Sequence, residues 1–461
     1  MDSTDVRLDR EESQVLEEEL IFLSKPTNGK RKVSAALLSP PSTSTSHSSI
    51  GSSNSSAFVQ IEAFDPSSVA PFYLPESAES VAALEFIGLT RRVAGDILAS
   101  WVNRPNPDQN PNDLFQYVVS YLGKLHVQPL VDLPAPQAMM ELGISSELQT
   151  ILLNPRFTQM FRSETLHFWL VDTFKIRYSS LNRLLRQLKS RAIRTIAKRR
   201  DKKRPKIAGV FDSGPSSSAA PQQTAGPSSS GSDIPHTGFD EDNLPSVYLA
   251  TQTAQPVLEG HYLLYKGKSI GDIGEGIFLR DDGSVNMFSI ETHRGGDFNH
   301  RENAWYFTKQ KDTGEQYRLW GADRCKWAAS WLITIQVPKT FMDSLPQQKL
   351  FYSPDWKEYI WYCRKSGSAG NPPAKFDKFW KAGEAQMVEG HICGRAPSVI
   401  PRIKKEEVQQ RISESDVMQI NGVKCTQVVF MNADVIERMA ELVRRKINIK
   451  MHKPIESPKG E

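Results

Sequence analysis

Three short words in the second half of the chain read as strand ends set in one globular domain. In YKG, Lys266 and Gly267 end a short apolar run; in WYFT, Tyr306 and Thr308 end an aromatic one; in CTQVVF, Gln427 opens a third. A lysine donates to a phosphate or sugar hydroxyl as a flexible point charge. A glutamine carboxamide donates and accepts hydrogen bonds but carries no charge. Other constellations are weaker. His261, His293, His300 and His391 share no metal-ligand spacing, and Cys325, Cys363, Cys393 and Cys425 form no CxxC pair, so no metal site is expected. GDIGEG is glycine-rich but has no helix N-terminus after it to hold a phosphate.

A different chemistry is written into KSRAIRTIAKRRDKKRPK, residues 189–206, whose only acid is Asp201. Arg191 and Arg194 form one basic cluster, and Lys198, Arg199, Arg200, Lys202, Lys203 and Arg204 a second. Such a run suits the acidic groove of an importin-type receptor, a nucleic-acid backbone or an acidic protein, and it points to the nucleus. Few aromatics are interleaved for base stacking. Lys30-Arg31-Lys32 is a weaker import element of the same kind. The net charge of +4 implies no partner by itself. MDSTDVRLDREESQ lacks the apolar core of a secretory leader, and no apolar run approaches the roughly 18 residues of a membrane span. No membrane partner is therefore expected.

The elements that must position these residues follow from periodicity. Residues 1–60 pair an acidic start of helical character (EESQVLEEELIFL) with a Ser-rich stretch too polar to offset its chain entropy, and are expected to be a disordered tail. Over 71–206 apolar residues recur at helical spacing, as in Val81, Leu84, Ile87, Val93, Ile97 and Trp101, predicting an all-α domain that ends in the basic helix. Ser77 or Ser80 caps its start, and Gly88 with Thr90 splits the first stretch. A Ser/Gly/Pro-rich linker over 207–245 tethers this to a strand-rich domain over 246–450, followed by a tail over 451–461. In that domain GEGIFLRDDGSVNMFSI reads as a hairpin, SWLITIQVP as a strand, and SPDWKEYIWYCRKS as a helix capped by Ser353. The fold class is α+β.

The order of local words in 258–445 resembles the uncharacterised ADP-ribosyltransferase-like domains common in fungi and bacteria. The matching words are Tyr265-Lys266-Gly267, then Gly296-Asp297-Phe298-Asn299 ahead of Trp305-Tyr306-Phe307-Thr308. Trp320-Gly321-Ala322 or Trp327-Ala328, Trp356 to Tyr362, Glu389-Gly390-His391-Ile392 and Gln427-Val428-Val429-Phe430 follow. The resemblance implies a split-sheet fold that holds NAD between two small sheets. A first-strand His or Arg would bind ribose or phosphate, and a second-strand Tyr with Ser or Thr would flank the nicotinamide. A late Glu would stabilise the cationic transition state as nicotinamide leaves.

By that resemblance Lys266, Gly267, Tyr306 and Thr308 are cofactor-binding, and Gln427 holds the catalytic position. The chain departs from the family in having Lys266 where His stands and Gln427 where Glu stands. An amide supplies no charge to the cation, and Glu389 and Glu358 are predicted at places that poorly replace it. The expectation is an impaired enzyme or NAD-binding domain. Its alternative is a non-catalytic nuclear interaction protein that uses the fold as a scaffold and the basic helix as its contact.

Overall fold

A computed structural model describes residues 7–38, 57–61, 69–107, 112–203, 248–251, 255–269, 278–280, 284–292, 295–365, 370–381, 386–395 and 399–453. The linker over 207–245, the GDIGEG word, His293 and Arg204 lie outside them. The chain combines helices and sheets.

Helix α1 (Arg10–Glu18) opens the described chain with an Asp9–Glu12 capping box. Helix α2 (Val81–Ile87) starts at Ser80, whose hydroxyl accepts from the Ala83 amide at 3.0 Å. It stops at Gly88, where φ is +120° and a Cβ would sit 2.6 Å from Leu148. Both were legible in the sequence. The short helices α3 (Arg91–Val102), α4 (Leu114–Leu122), α5 (Ala135–Glu141), α6 (Ser146–Leu152) and α7 (Thr158–Ser163) follow. Then comes α8 (Leu166–Lys203), 38 residues and roughly 57 Å long. Its apolar side, from Leu170 and Phe174 to Leu188 and Ala192, is buried.

The second half builds two sheets. Strands β4 (Tyr248–Thr251), β5 (His261–Ser269), β7 (Ser330–Pro338) and β13 (Ile447–His452) combine with β2 (Ala57–Ile61) in the order β4-β2-β13-β7-β5. Strands β6 (Trp305–Phe307), β12 (Thr426–Phe430), β9 (Met387–His391) and β8 (Gln347–Leu350) form the other, in that order. Two small antiparallel pairs complete the strands, β1 (Lys30–Val33) with β3 (Phe72–Pro75), and β10 (Gln419–Ile420) with β11 (Val423–Lys424). The two large sheets touch edge to edge at one place. Tyr265 and Thr308 exchange backbone hydrogen bonds of 2.7 and 3.0 Å, and β5 and β6 form no further rungs.

Helix α9 (Lys311–Arg324) leaves β6 and lies against β5. The approach is closer than a side chain permits. A Cβ on Gly267 would lie 2.1 Å from the Gly314 carbonyl oxygen and 2.3 Å from the Arg318 amide nitrogen. Beyond β7 come α10 (Lys339–Ser344), α11 (Pro354–Arg364), α12 (Asp377–Trp380), α13 (Val408–Arg411) and α14 (Ala433–Leu442). Ser353 caps α11 by accepting from Trp356 at 3.1 Å. The hairpin expected over 274–290 reduces to a Leu279–Val285 bridge and a turn of 3₁₀ helix over Met287–Ile290; its turn residues are outside the described chain.

Several domain expectations need correction. Residues 1–60 are not merely a tail, because α1, β1 and the start of β2 are ordered parts of the fold. Val15 and Leu16 are buried against the helical half, and β2 pairs in parallel with both β13 and β4. A sequence window misses this, since a five-residue strand after a Ser-rich stretch has no local signal. Nor are the two halves tethered and separate. Phe86 stacks on Trp327 at 4.0 Å, and the Arg177 Nε donates to the Arg324 carbonyl at 2.7 Å. The expected tail at 451 also begins inside β13.

Because Gly267 packs against the α9 backbone, Gly267→Ala is expected to destabilise the fold by about 3 kcal/mol. Chemical denaturation of the full chain measures this; an unchanged midpoint would contradict the packing role.

Candidate functional site

Where β5 and β6 part, they leave a cavity of about 230 Å³. Lys266 and Gly267 come from β5, Tyr306 from β6, Thr308 from its end, and Gln427 from β12. All five residues singled out in the sequence line this one cleft. The fold brings them together from positions up to 161 residues apart.

Their side chains are nonetheless largely committed to the protein. Lys266 is buried, donates to the Tyr306 carbonyl at 2.8 Å, and lies over the Phe307 ring at 5.4 Å. The Tyr306 hydroxyl donates to Asn299 Oδ1 at 2.8 Å and accepts from the Phe298 amide at 3.0 Å. Burial, then the nearby Asp297 charge, hold that phenol well above its usual range, so it stays protonated. Thr308 Oγ1 accepts from the Gln310 amide at 3.0 Å. Gly267 serves the α9 contact as well as the cleft floor.

Gln427 is the most altered of the five. Its Nε2 donates to Asp297 Oδ2 at 2.9 Å and to the His391 carbonyl at 3.3 Å. Both amide hydrogens are thus engaged, and the oxygen is what remains for a ligand. Asp297 is the reason. It sits in the Gly296–Asn299 turn, 5% exposed, and Arg364 from α11 reaches it with Nε at 3.0 Å and Nη2 at 2.5 Å. The Cys393 amide donates to its second oxygen at 2.8 Å. Burial disfavours the Arg364 charge, but Asp297 beside it more than offsets this and holds the guanidinium protonated. Burial pushes the Cys393 thiol up to about 12, which removes it as a nucleophile.

The opposite wall comes from the helical half. Glu164, in the turn between α7 and α8, lines the cleft with Phe168, Trp169 and Asp172. Arg324 of α9 donates to Asp172 and lies 4.8 Å over Trp169 and 5.2 Å over Trp320. Apart from Trp320, none of these was singled out in the sequence, because a cleft wall shared between distant segments has no local signature. Lys268 was also missed, although period two places it on the Lys266 face of β5. It forms no ion pair among the described residues. Glu389 and Glu358 do not line the cleft; they pair with Lys309 at 2.9 Å and Lys375 at 2.7 Å.

The basic run does not line the cleft. It is helical through Lys203, and its face toward α1 is not bare. Lys189 pairs with Glu12 at 2.7 Å, Arg191 with Glu19 at 2.8 Å, Arg199 with Glu18 at 2.6 Å and Arg200 with Glu11 at 3.4 Å. Arg194 donates to the Ser190 carbonyl at 3.2 Å. Lys202 and Lys203 share the helix backbone with these residues. The Lys30-Arg31-Lys32 word does not present a free basic patch, since Arg31 is buried in β1 and bonded to Glu17 and Glu76. No helix among the described residues is long and apolar enough to cross a membrane, and none of their His, Cys, Asp and Glu side chains group as a metal site.

Two outcomes follow from this geometry. Asp297→Ala is expected to cost about 3–5 kcal/mol in urea denaturation by stranding the Arg364 charge. The double variant Asp297→Leu/Arg364→Met should cost clearly less than the sum of the single changes. Replacing Glu11, Glu12, Glu18 and Glu19 by Gln should free the basic face and raise the salt needed to elute the protein from heparin; unchanged elution would show that α1 leaves the face open. No protein-family model, curated protein or solved structure matches the chain.

Proposed function

We propose that the cleft is an NAD site of ADP-ribosyltransferase-like architecture with impaired transfer chemistry. One observation carries this reading: the first, second and late strands of a sheet that splits at Tyr265–Thr308 all deliver their marked residues to a single cavity. The cavity falls below the roughly 300–1,000 Å³ usual for ligand sites. It suits one nucleoside half of a dinucleotide, and the remainder would extend past half-exposed Phe168 at the mouth.

NAD supplies a cationic nicotinamide on an anomeric carbon, which departs with the electron pair of the glycosidic bond. This chain's residues are better placed to bind than to drive that departure. Lys268 offers an uncommitted cation for a phosphate. The Gln427 oxygen accepts from a sugar hydroxyl, and the aromatic wall shields the inner end from water. Gln427 brings no charge, and Arg364 already neutralises the nearby Asp297. Gln427→Glu alone would set a second carboxylate against Asp297 Oδ2, so it does not restore the charge simply.

A second reading has its own support. Acidic α1 lying along the basic face of α8 displays the chemistry of partner that face accepts. On this reading the protein is a non-catalytic nuclear interaction protein, and an importin-type receptor, a nucleic acid or an acidic protein competes with α1. The NAD reading is tested by calorimetric titration of the full chain. Lys268→Met is expected to weaken NAD binding about tenfold, the effect of one charge-assisted hydrogen bond, with unchanged thermal stability. Absence of saturable binding to the folded wild-type protein would leave the second reading.

A further inference from the structure

Of the three acids that line the cleft, two are cancelled by neighbouring cations. Asp297 is paired with Arg364 and Asp172 with Arg324. Glu164 differs: it lines the same cavity, and among the described residues it has no salt-bridge partner. It is held there by the extended backbone at the end of α7, immediately before α8 begins. The helical half thus delivers an uncancelled carboxyl group to a cleft whose other walls belong to the two sheets.

We infer that Glu164 is the cation-recognising group of the cleft, and that it makes the site select the positively charged nicotinamide ring of NAD⁺ over the neutral ring of NADH. This deepens the NAD reading and rests on it. A carboxylate facing an unpaired pyridinium in a site shielded from water gains attraction that a neutral dihydropyridine does not return. Gln427, with both amide hydrogens engaged, makes no such distinction.

The same group makes binding depend on pH. Burial pushes the Glu164 carboxyl up to about 7. Around it, Arg364 from α11 favours the charge, while Asp297 from the loop before β6 and Asp172 from α8 oppose it; Tyr317 of α9 lies within their field. Lys266, Lys268 and Arg324 also line the cavity. The ionised fraction therefore rises from about a tenth at pH 6 to about nine-tenths at pH 8. If NAD⁺ takes the ionised form, its affinity rises by up to about tenfold across that range.

The test is calorimetric titration of the full chain with NAD⁺ and with NADH at pH 6 and pH 8, for wild type and Glu164→Gln. The expected result has three parts. Wild-type affinity for NAD⁺ rises about tenfold with pH, and affinity for NADH stays flat. In Glu164→Gln the rise disappears, while NADH binding persists as evidence of an intact fold. Equal, pH-independent binding of both dinucleotides to wild type would overturn the inference and leave the NAD site standing. Failure of both to bind a wild-type protein that melts normally would overturn the NAD reading and this inference together.

Discussion

The buried pair between Asp297 and Arg364 is the constraint on which the cleft depends. Neither side chain is more than 5% exposed, and each would be costly to bury alone. Together they tie the turn before β6 to α11. Through the Cys393 amide and the Gln427 carboxamide they also fix β9 and β12. Arg364 completes its bonding on the carbonyls of Cys393 and Arg395. The four-stranded sheet is thereby held at one orientation to the helix behind it. The price is that Gln427 faces a carboxylate, where an amide is favoured and a second carboxylate is opposed. The amide at this position is thus explained by its neighbour, whatever the cleft binds.

The helical half is part of the same construction. Ranged along α8, Trp169, Asp172 and Arg177 meet α9 and its C-terminal end through ring contacts, an ion pair and a carbonyl bond. The strand over Ala57–Ile61 lies between β13 and β4, so the larger sheet is incomplete without the N-terminal segment. A fragment beginning near residue 246 would lack that strand and the cleft wall bearing Glu164. Binding experiments therefore call for the whole chain. The α1–α8 contact has a different character. Its ion pairs are mostly half-exposed, so each contributes little and yields to salt or to a competing partner.

Much of this was legible from the sequence, for identifiable reasons. Helix starts at Ser80 and Ser353 and the stop at Gly88 depend on local chemistry, and a local reading finds them. The strands bearing Lys266, Tyr306 and Gln427 follow from short apolar and aromatic runs, and their meeting at one cleft was anticipated through the order of the words. What was missed depends on distance in the chain. The partner of Gln427 is 130 residues away, and that of Asp172 is 152. Glu164 lies in a helical stretch that gave no sign of facing a sheet. The strand at residue 57 was hidden by the polar segment before it. The basic run was legible as charge, but not its pairing with the acids of α1, since that requires knowing which way the first helix lies.

Hydrogen–deuterium exchange of the full chain with and without saturating NAD tests the central claim most directly. The account predicts slowed exchange in three separate peptides, covering Tyr265–Lys268, Tyr306–Thr308 and Thr426–Val428, with a fourth around Glu164. Unchanged exchange in all four, or protection confined to other surfaces, would contradict an NAD site at the split between the sheets.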